Sequence, residues 1–105
     1  MTKTYEEILP ELSPAHVRLI ESLSAKGLSY SGSAIKNGDL LLELKSEGSE
    51  IVFNPYAGKV ELFTEFRDVS DSKDTGHHVW MIYSDATVAE IGALVSAITD
   101  IIGDN

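Results

Sequence analysis

The hydrophobic residues of this chain change their spacing twice, from a helical period to an alternating one and back again. Near the N-terminus, Val17, Ile20 and Leu23 recur at helical spacing. Ser13 precedes them at a position that suits a helix N-cap, and Gly27 follows them at a position that suits a left-handed helix stop. The pattern predicts a helix between these two residues.

The middle of the chain alternates apolar and polar residues, a pattern typical of β-strands with one buried face. Leu40, Leu42 and Leu44 give the clearest case, and the Asn37-Gly38 pair before them predicts a two-residue hairpin turn. Strands are expected at 28–35, 39–45, 50–54, 59–69 and 77–84. Short turns between consecutive strands predict an antiparallel meander.

The C-terminal segment returns to a helical period. Thr87 and Glu90 have the spacing of a capping box. A broad apolar stripe follows, made of Val88, Ile91, Leu94, Val95, Ile98, Ile101 and Ile102. Gly92 costs roughly 1 kcal/mol relative to alanine inside a helix, so we expect the helix to approach a strand or the first helix closely there.

Two helices that flank a meander of four to five strands predict a single α+β domain over residues 1–105. Both helices are expected to pack on one face of the sheet. On the second face the alternation places Leu41, Val52, Phe63 and either Trp80 or Ile82, among Glu43, Lys45, Glu61, Glu65 and Arg67. Several large apolar groups on a charged face are more than a solvated sheet usually carries. Either the predicted register is wrong, or the sheet curls and covers these residues itself, or this face is a dimer or partner interface.

Acidic residues outnumber basic ones by 17 to 8, which gives a formal net charge of −9, and no Lys or Arg follows Lys73. Such a surface repels nucleic acid and anionic lipid and attracts basic proteins. No apolar run is long enough to cross a membrane, and the N-terminus lacks the pattern of a signal peptide. The absence of cysteine excludes disulfides and thiolate metal sites. We therefore expect a cytoplasmic protein that binds neither nucleic acid nor membrane directly.

The densest polar segment contains Asp68, Asp71, Asp74, His77 and His78. Carboxylate and imidazole groups together could bind zinc, manganese or nickel. The spacing matches neither a calcium loop nor a His-Glu-x-x-His motif. His77 and His78 are adjacent on a predicted strand, so their side chains are expected on opposite faces of the sheet. The pattern favours a solvated loop, and no bound metal or cofactor is predicted.

The sequence contains no recognisable catalytic motif. Cysteine nucleophiles, a Gly-x-Ser-x-Gly elbow and a phosphate-binding glycine loop are all absent. His16 lies near the start of the first clear helix, where a positive charge is unfavourable, so we expect a neutral imidazole on the surface. No catalytic residue is predicted, and the protein is expected not to be an enzyme. The alternative is a small metal-dependent enzyme built on Asp68, Asp71, Asp74 and His77.

The leading hypothesis is an acidic protein-binding module, such as a bacterial or phage inhibitor, immunity or anti-defence protein. A row of carboxylates on one face can imitate a phosphate backbone and so cover a basic, nucleic-acid-binding site on a target. The predicted partner-binding residues are Glu43, Glu61, Phe63, Glu65, Asp68, Asp71, Asp74 and Trp80.

A homodimer is the second hypothesis, with Leu41, Phe63 and Trp80 at the interface. The order of helix, meander and helix, together with the acidic balance, resembles the small secretion chaperones that dimerise through a sheet face. That group normally has a helix between its middle strands, which is not predicted here. The resemblance implies self-association and assigns no role to any residue.

Overall fold

The computed structural model describes residues 4–64 and 77–103. In chain order these residues form α1 (Tyr5–Ile8), a 3₁₀ turn (Leu9–Glu11), α2 (Pro14–Ala25), β1 (Ser29–Lys36), β2 (Asp39–Ser46), β3 (Ser49–Asn54), β4 (Lys59–Thr64), β5 (His77–Met81) and α3 (Val88–Gly103). This order confirms the predicted α+β class, with a meander between N-terminal and C-terminal helices.

The strands form one antiparallel sheet in the order β1-β2-β3-β4-β5, so each strand pairs with its neighbours in sequence. Residues opposite one another in such a sheet share a face. Leu42 lies opposite Phe53, Phe53 opposite Val60, and Val60 opposite Trp80. This row of side chains runs across β2 to β5 on the face that the helices cover.

Local signals set the turns and the helix ends as predicted. Asn37 and Gly38 have φ values of 53° and 83°, the left-handed pair that a two-residue hairpin needs. The Ser13 hydroxyl accepts a hydrogen bond from the His16 backbone N–H at 3.2 Å and so caps α2. Gly27 ends α2 with φ 98°.

The predicted capping box begins α3. The Glu90 N–H donates to the Thr87 hydroxyl at 3.1 Å, and the Thr87 N–H donates to the Glu90 carboxylate at 2.9 Å. Each residue thus satisfies a backbone donor that the first helical turn leaves without a partner.

One hydrophobic core joins the helices to the sheet. Its buried members include Leu19, Ile20 and Leu23 of α2, Ile91, Leu94, Val95 and Ile98 of α3, and Leu40, Leu42, Leu44, Ile51, Phe53, Val60 and Leu62 of the sheet. Burying a side chain of this size stabilises the fold by about 1.5–3 kcal/mol. Because the buried sheet residues alternate along their strands, α2 and α3 cover the same face, as predicted.

Gly92 does not make the close approach that the sequence predicts. It lies on the exposed side of α3, and a Cβ atom added there would meet nothing within 4 Å. Ile91, Leu94 and Val95 lie on the buried side of the helix, and the helical period places Gly92 on a different side.

The expectation of a surface position for His16 is wrong. Its side chain is 2% exposed. The Nε2–H group donates to the backbone carbonyl of Ile82 at 3.0 Å, because a carbonyl oxygen can only accept. The ring also meets the Phe53 ring edge-on, with centroids 4.8 Å apart. A partner 66 positions away in the chain therefore accounts for its burial.

Trp80 and Ile82 both lie on the helix-covered face, so the prediction that one of them lies on the second face is wrong. Trp80 packs against the core, and Ile82 is 5% exposed. The alternation of side chains along β5 was predicted correctly, but the side of the strand that the helices cover was not. Both sides of this strand carry large apolar residues, so the pattern alone does not distinguish them.

Candidate protein-binding face

The sheet surface opposite the helices carries charged and apolar side chains together. We call it the open face and define it by Leu41, Glu43, Lys45, Glu50, Val52, Lys59, Glu61, Phe63, His77, Val79 and Met81. Each alternates along its strand with residues that point toward the helices. The helices leave this surface uncovered.

A central row crosses the open face from β2 to β5. Glu43 lies opposite Val52, Val52 opposite Glu61, and Glu61 opposite Val79. Neighbouring strands are about 4.8 Å apart, so the two glutamates stand on either side of Val52, roughly 10 Å from each other. The strand register thus brings together the two glutamates that the sequence places on one face.

The most exposed apolar side chains of the open face lie on β4 and β5. Phe63 is 40% exposed, Val79 47% and Met81 49%. We call these three residues the apolar patch. Leu41 on β2 and Val52 on β3 are further apolar residues of the open face, and both are half-buried. Large apolar groups gathered on one uncovered face are typical of surfaces that bind another protein.

Glu61 is held by two cationic or potentially cationic partners beside the apolar patch. Its Oε2 lies 3.0 Å from His77 Nε2, and its Oε1 lies 3.3 Å from Lys59 Nζ. The His77 ring stacks on Phe63 with centroids 4.6 Å apart and planes 7° apart. The carboxylate, the imidazole and the phenyl ring therefore form one packed unit.

The electrostatics of the described open face are mixed rather than acidic. Glu43, Glu50 and Glu61 share it with Lys45 and Lys59. Lys45 lies opposite Glu50 in the register. The excess negative charge of the described residues therefore lies mainly elsewhere, including α3 and the loop before it.

The pKa of Glu61 lies below its ordinary value of 4.5. Burial alone would raise this pKa, but the hydrogen bonds from His77 and Lys59, and the positive charge of both groups, outweigh burial. Since the pKa is lower in the folded state, the carboxylate stabilises the fold fully above the unfolded value. That contribution is lost as the pH falls below 4.5 through the folded-state pKa.

We expect Glu61→Gln to flatten the fall of thermal stability below pH 4.5. The effect should stay below about 1 kcal/mol, because the ion pairs are partly exposed to solvent. Melting temperatures recorded across this pH range test the prediction. Lys59→Met removes only one of the two partners and should give an intermediate profile. A variant curve parallel to that of the wild type would show that Glu61 does not contribute in this way.

The structure places four of the eight predicted partner-binding residues. Glu43, Glu61 and Phe63 lie together on the open face, whereas Trp80 packs on the other side of the sheet. Glu65, Asp68, Asp71 and Asp74 lie outside the described residues.

Sequence reasoning missed Val79 and Met81 as open-face residues. Their alternation along β5 was the available signal, but it needed a second observation to assign the face. The pairing of Trp80 with the buried Val60 provides that observation.

The histidines of the polar segment point apart, as predicted. His77 stacks on Phe63 on the open face, whereas His78 stacks on Trp80 on the opposite side, with centroids 5.8 Å apart. Within residues 4–64 and 77–103, no three His, Asp or Glu side chains are arranged to bind a metal ion. No helix in that same part of the chain is both long enough and apolar enough to cross a membrane.

Comparisons with family models, with curated proteins and with solved structures gave no match to this chain. The geometry and chemistry of the open face are therefore the basis for proposing a function.

Proposed function

We propose that this protein is a non-enzymatic, acidic protein-binding module that uses the open face to bind a partner with a basic surface. The observation that carries the proposal is the apolar patch, in which Phe63, Val79 and Met81 are each 40–49% exposed. Apolar side chains that are excluded from water on binding supply most of the affinity of a protein interface.

The charge of the chain favours a basic partner. A net charge of −9 attracts a basic surface over distances longer than a contact, and so raises the rate of encounter. Asp85, Glu90 and Asp100 contribute to this field from α3 and the loop before it, a region with no Lys or Arg. The charge of the whole molecule then attracts the partner at long range, and the open face makes the contact with it.

Of the two glutamates in the central row, Glu43 is better placed than Glu61 to meet a cation of the partner. Glu61 already has Lys59 and His77 beside it, so a new partner would have to displace them. The structure describes no ion pair of that kind for Glu43, which stands half-buried on the other side of Val52. An arginine of the partner at this position would form a charge-assisted hydrogen bond.

The class of target we propose is a basic protein whose nucleic-acid-binding site becomes covered. An acidic module that seats an apolar patch there would compete with nucleic acid for the same cationic groups. Bacterial or phage inhibitors and immunity proteins are the kind of protein that acts in this way.

Two matched valine substitutions test the proposal. Val79→Lys adds a positive charge to the open face, at a valine that is 47% exposed. Val88→Lys adds the same charge to α3, at a valine that is 62% exposed. Both variants and the wild type are used to capture proteins from a lysate of the source cells. Captured proteins are compared by quantitative mass spectrometry, and the dissociation constant of any purified basic partner is then measured.

We expect a basic protein that wild type and Val88→Lys retain equally and that Val79→Lys loses by at least about tenfold. This complex should also weaken as salt is added. Equal capture by all three proteins, or capture of this chain alone, would contradict the proposal. Capture of this chain alone would instead favour self-association without a basic partner.

A further inference from the structure

The outer edge of β5 carries backbone groups that no described strand pairs with, because β5 ends the sheet. The Ile82 N–H donates to the Gly58 carbonyl at 2.6 Å. This bond determines which residues of β5 direct their backbone N–H and C=O groups toward β4. Along an antiparallel pair, residues that bond to the neighbouring strand alternate with residues that do not. Trp80 and His78 therefore turn their backbone groups toward β4. His77, Val79 and Met81 turn theirs outward.

Among the described residues, the opposite edge of the sheet has protective features that the β5 edge lacks. β1 has an irregular register between Tyr30 and Gly32 and ends on Lys36, and both features discourage pairing with another strand. β5 keeps an unbroken register with β4 and contains no Lys, Pro or Gly. An edge without these features is a template for a further strand.

We propose that two copies of this protein pair through the outer edges of β5, antiparallel, about a two-fold axis at Val79. Val79 then lies opposite Val79 of the second copy, and His77 lies opposite Met81 of the second copy. All three outward-facing residues of each strand find a matching residue. The pairing forms about six main-chain hydrogen bonds.

The side chains of β5 suit a second copy of the same strand. On the open face, valine meets valine and His77 meets methionine. On the other face, His78 meets Trp80 of the second copy and repeats the stacking that these residues already show within one chain. Aromatic and β-branched pairs of this kind stabilise neighbouring strands.

Charge favours contact between copies at this edge rather than elsewhere. In a chain of net charge −9, β5 contains no Asp, Glu, Lys or Arg. Two copies that meet there place no like-charged side chains opposite each other. Only the weaker repulsion between the whole molecules opposes the pairing, and salt screens it.

The consequence is one continuous ten-stranded sheet. A two-fold axis of an antiparallel pair is perpendicular to the sheet, so the open faces of both copies lie on the same side. The apolar patches of the two copies then lie next to each other. This inference stands on the edge of β5 and does not depend on any partner of the open face.

Sedimentation of the wild type, Val79→Pro and Val79→Ala tests the proposal. The N–H of residue 79 points outward, so proline there removes a donor of the edge and no bond to β4. Alanine keeps the donor. The wild type and Val79→Ala should sediment at about twice the monomer mass of 11.4 kDa, and Val79→Pro at the monomer mass.

Five residues a side make a small interface, so we expect a dissociation constant in the micromolar range, about 1–100 µM. A wild type that stays at 11.4 kDa up to about 1 mM would overturn the proposal, and so would a Val79→Pro variant that sediments as a dimer.

Two measurements on the wild type alone keep the test valid if Val79→Pro does not fold. Amide exchange at Val79 and Met81 should slow at least about tenfold from dilute to concentrated protein, and equal rates would overturn the proposal.

Added salt should strengthen the dimer, whereas it should weaken a complex with a basic partner. A dimer that salt dissociates would contradict pairing through β5. The response to salt thus distinguishes pairing through β5 from binding of a basic partner.

Discussion

Gly58→Ala is expected to destabilise the fold by about 3 kcal/mol. Gly58 has φ +71°, a conformation that costs a residue with a side chain about 1–2 kcal/mol. An added Cβ would also lie 2.8 Å from the Ile82 carbonyl oxygen and 3.0 Å from Tyr83 Cδ1. Relief of that contact must shift Ile82 and weaken two hydrogen bonds, each worth about 0.5–1.5 kcal/mol.

Gly48→Ala is the matched control for this prediction. Gly48 has φ +79°, but an added Cβ there meets nothing within 4 Å. Gly48→Ala therefore has the unfavourable backbone conformation without the steric contact, and its free energy of unfolding should fall by only about 1–2 kcal/mol. Urea unfolding followed by circular dichroism measures both variants. Equal losses would mean that the approach of Gly58 to Ile82 does not matter for stability.

His16→Ala is expected to lose about 2–4 kcal/mol. The change removes the packing of the ring against Phe53 and leaves a cavity. It also leaves the carbonyl of Ile82 without the donor that now lies 3.0 Å away. Unfolding free energies in urea test this value.

Val17→Ala is the control for His16→Ala, because Val17 is the next residue of α2 and only half-buried. It should lose roughly half as much or less. A loss for His16→Ala no larger than that for Val17→Ala would contradict the role assigned to the buried imidazole. Because His16 and Gly58 both act through Ile82, the double variant should lose less than the sum of the single losses.

Ile82 joins three parts of the molecule. Its side chain lies in the core, its N–H donates to Gly58, and its carbonyl accepts from His16. The start of α2 and the start of β4 are thereby fastened to the end of β5. The hydrogen bond from Ile82 to Gly58 also determines which backbone groups of β5 face outward. The same bond therefore bears on both the stability of the fold and the proposed contact at the edge of β5.

The sequence predicts those parts of the fold that depend on neighbouring residues. Ser13 caps α2, the Thr87–Glu90 pair caps α3, and the Asn37-Gly38 pair makes a turn, because each acts within a few positions. His16 behaves differently. Its partners Ile82 and Phe53 are distant in sequence, and helix periodicity carries no information about them.

The candidate site is predictable to the same extent. Glu61 and Phe63 share a face because side chains alternate along one strand, and Glu43 joins them through the register of the meander. The position of Val79 and Met81 depends on which side of β5 the helices cover. Both sides of that strand are apolar, so only the packing of Trp80 on the core decides the matter.

Site-specific crosslinking tests most directly whether the open face is the binding surface. A benzoylphenylalanine replaces Phe63, which it resembles in shape, and in a second variant replaces Val88 on α3, where the exposed valine is the control. Irradiation in a lysate of the source cells at low salt should join a single basic protein to position 63, and the product should disappear at high salt. No crosslink is expected from position 88. A crosslinked partner from position 88 and none from position 63 would contradict the account.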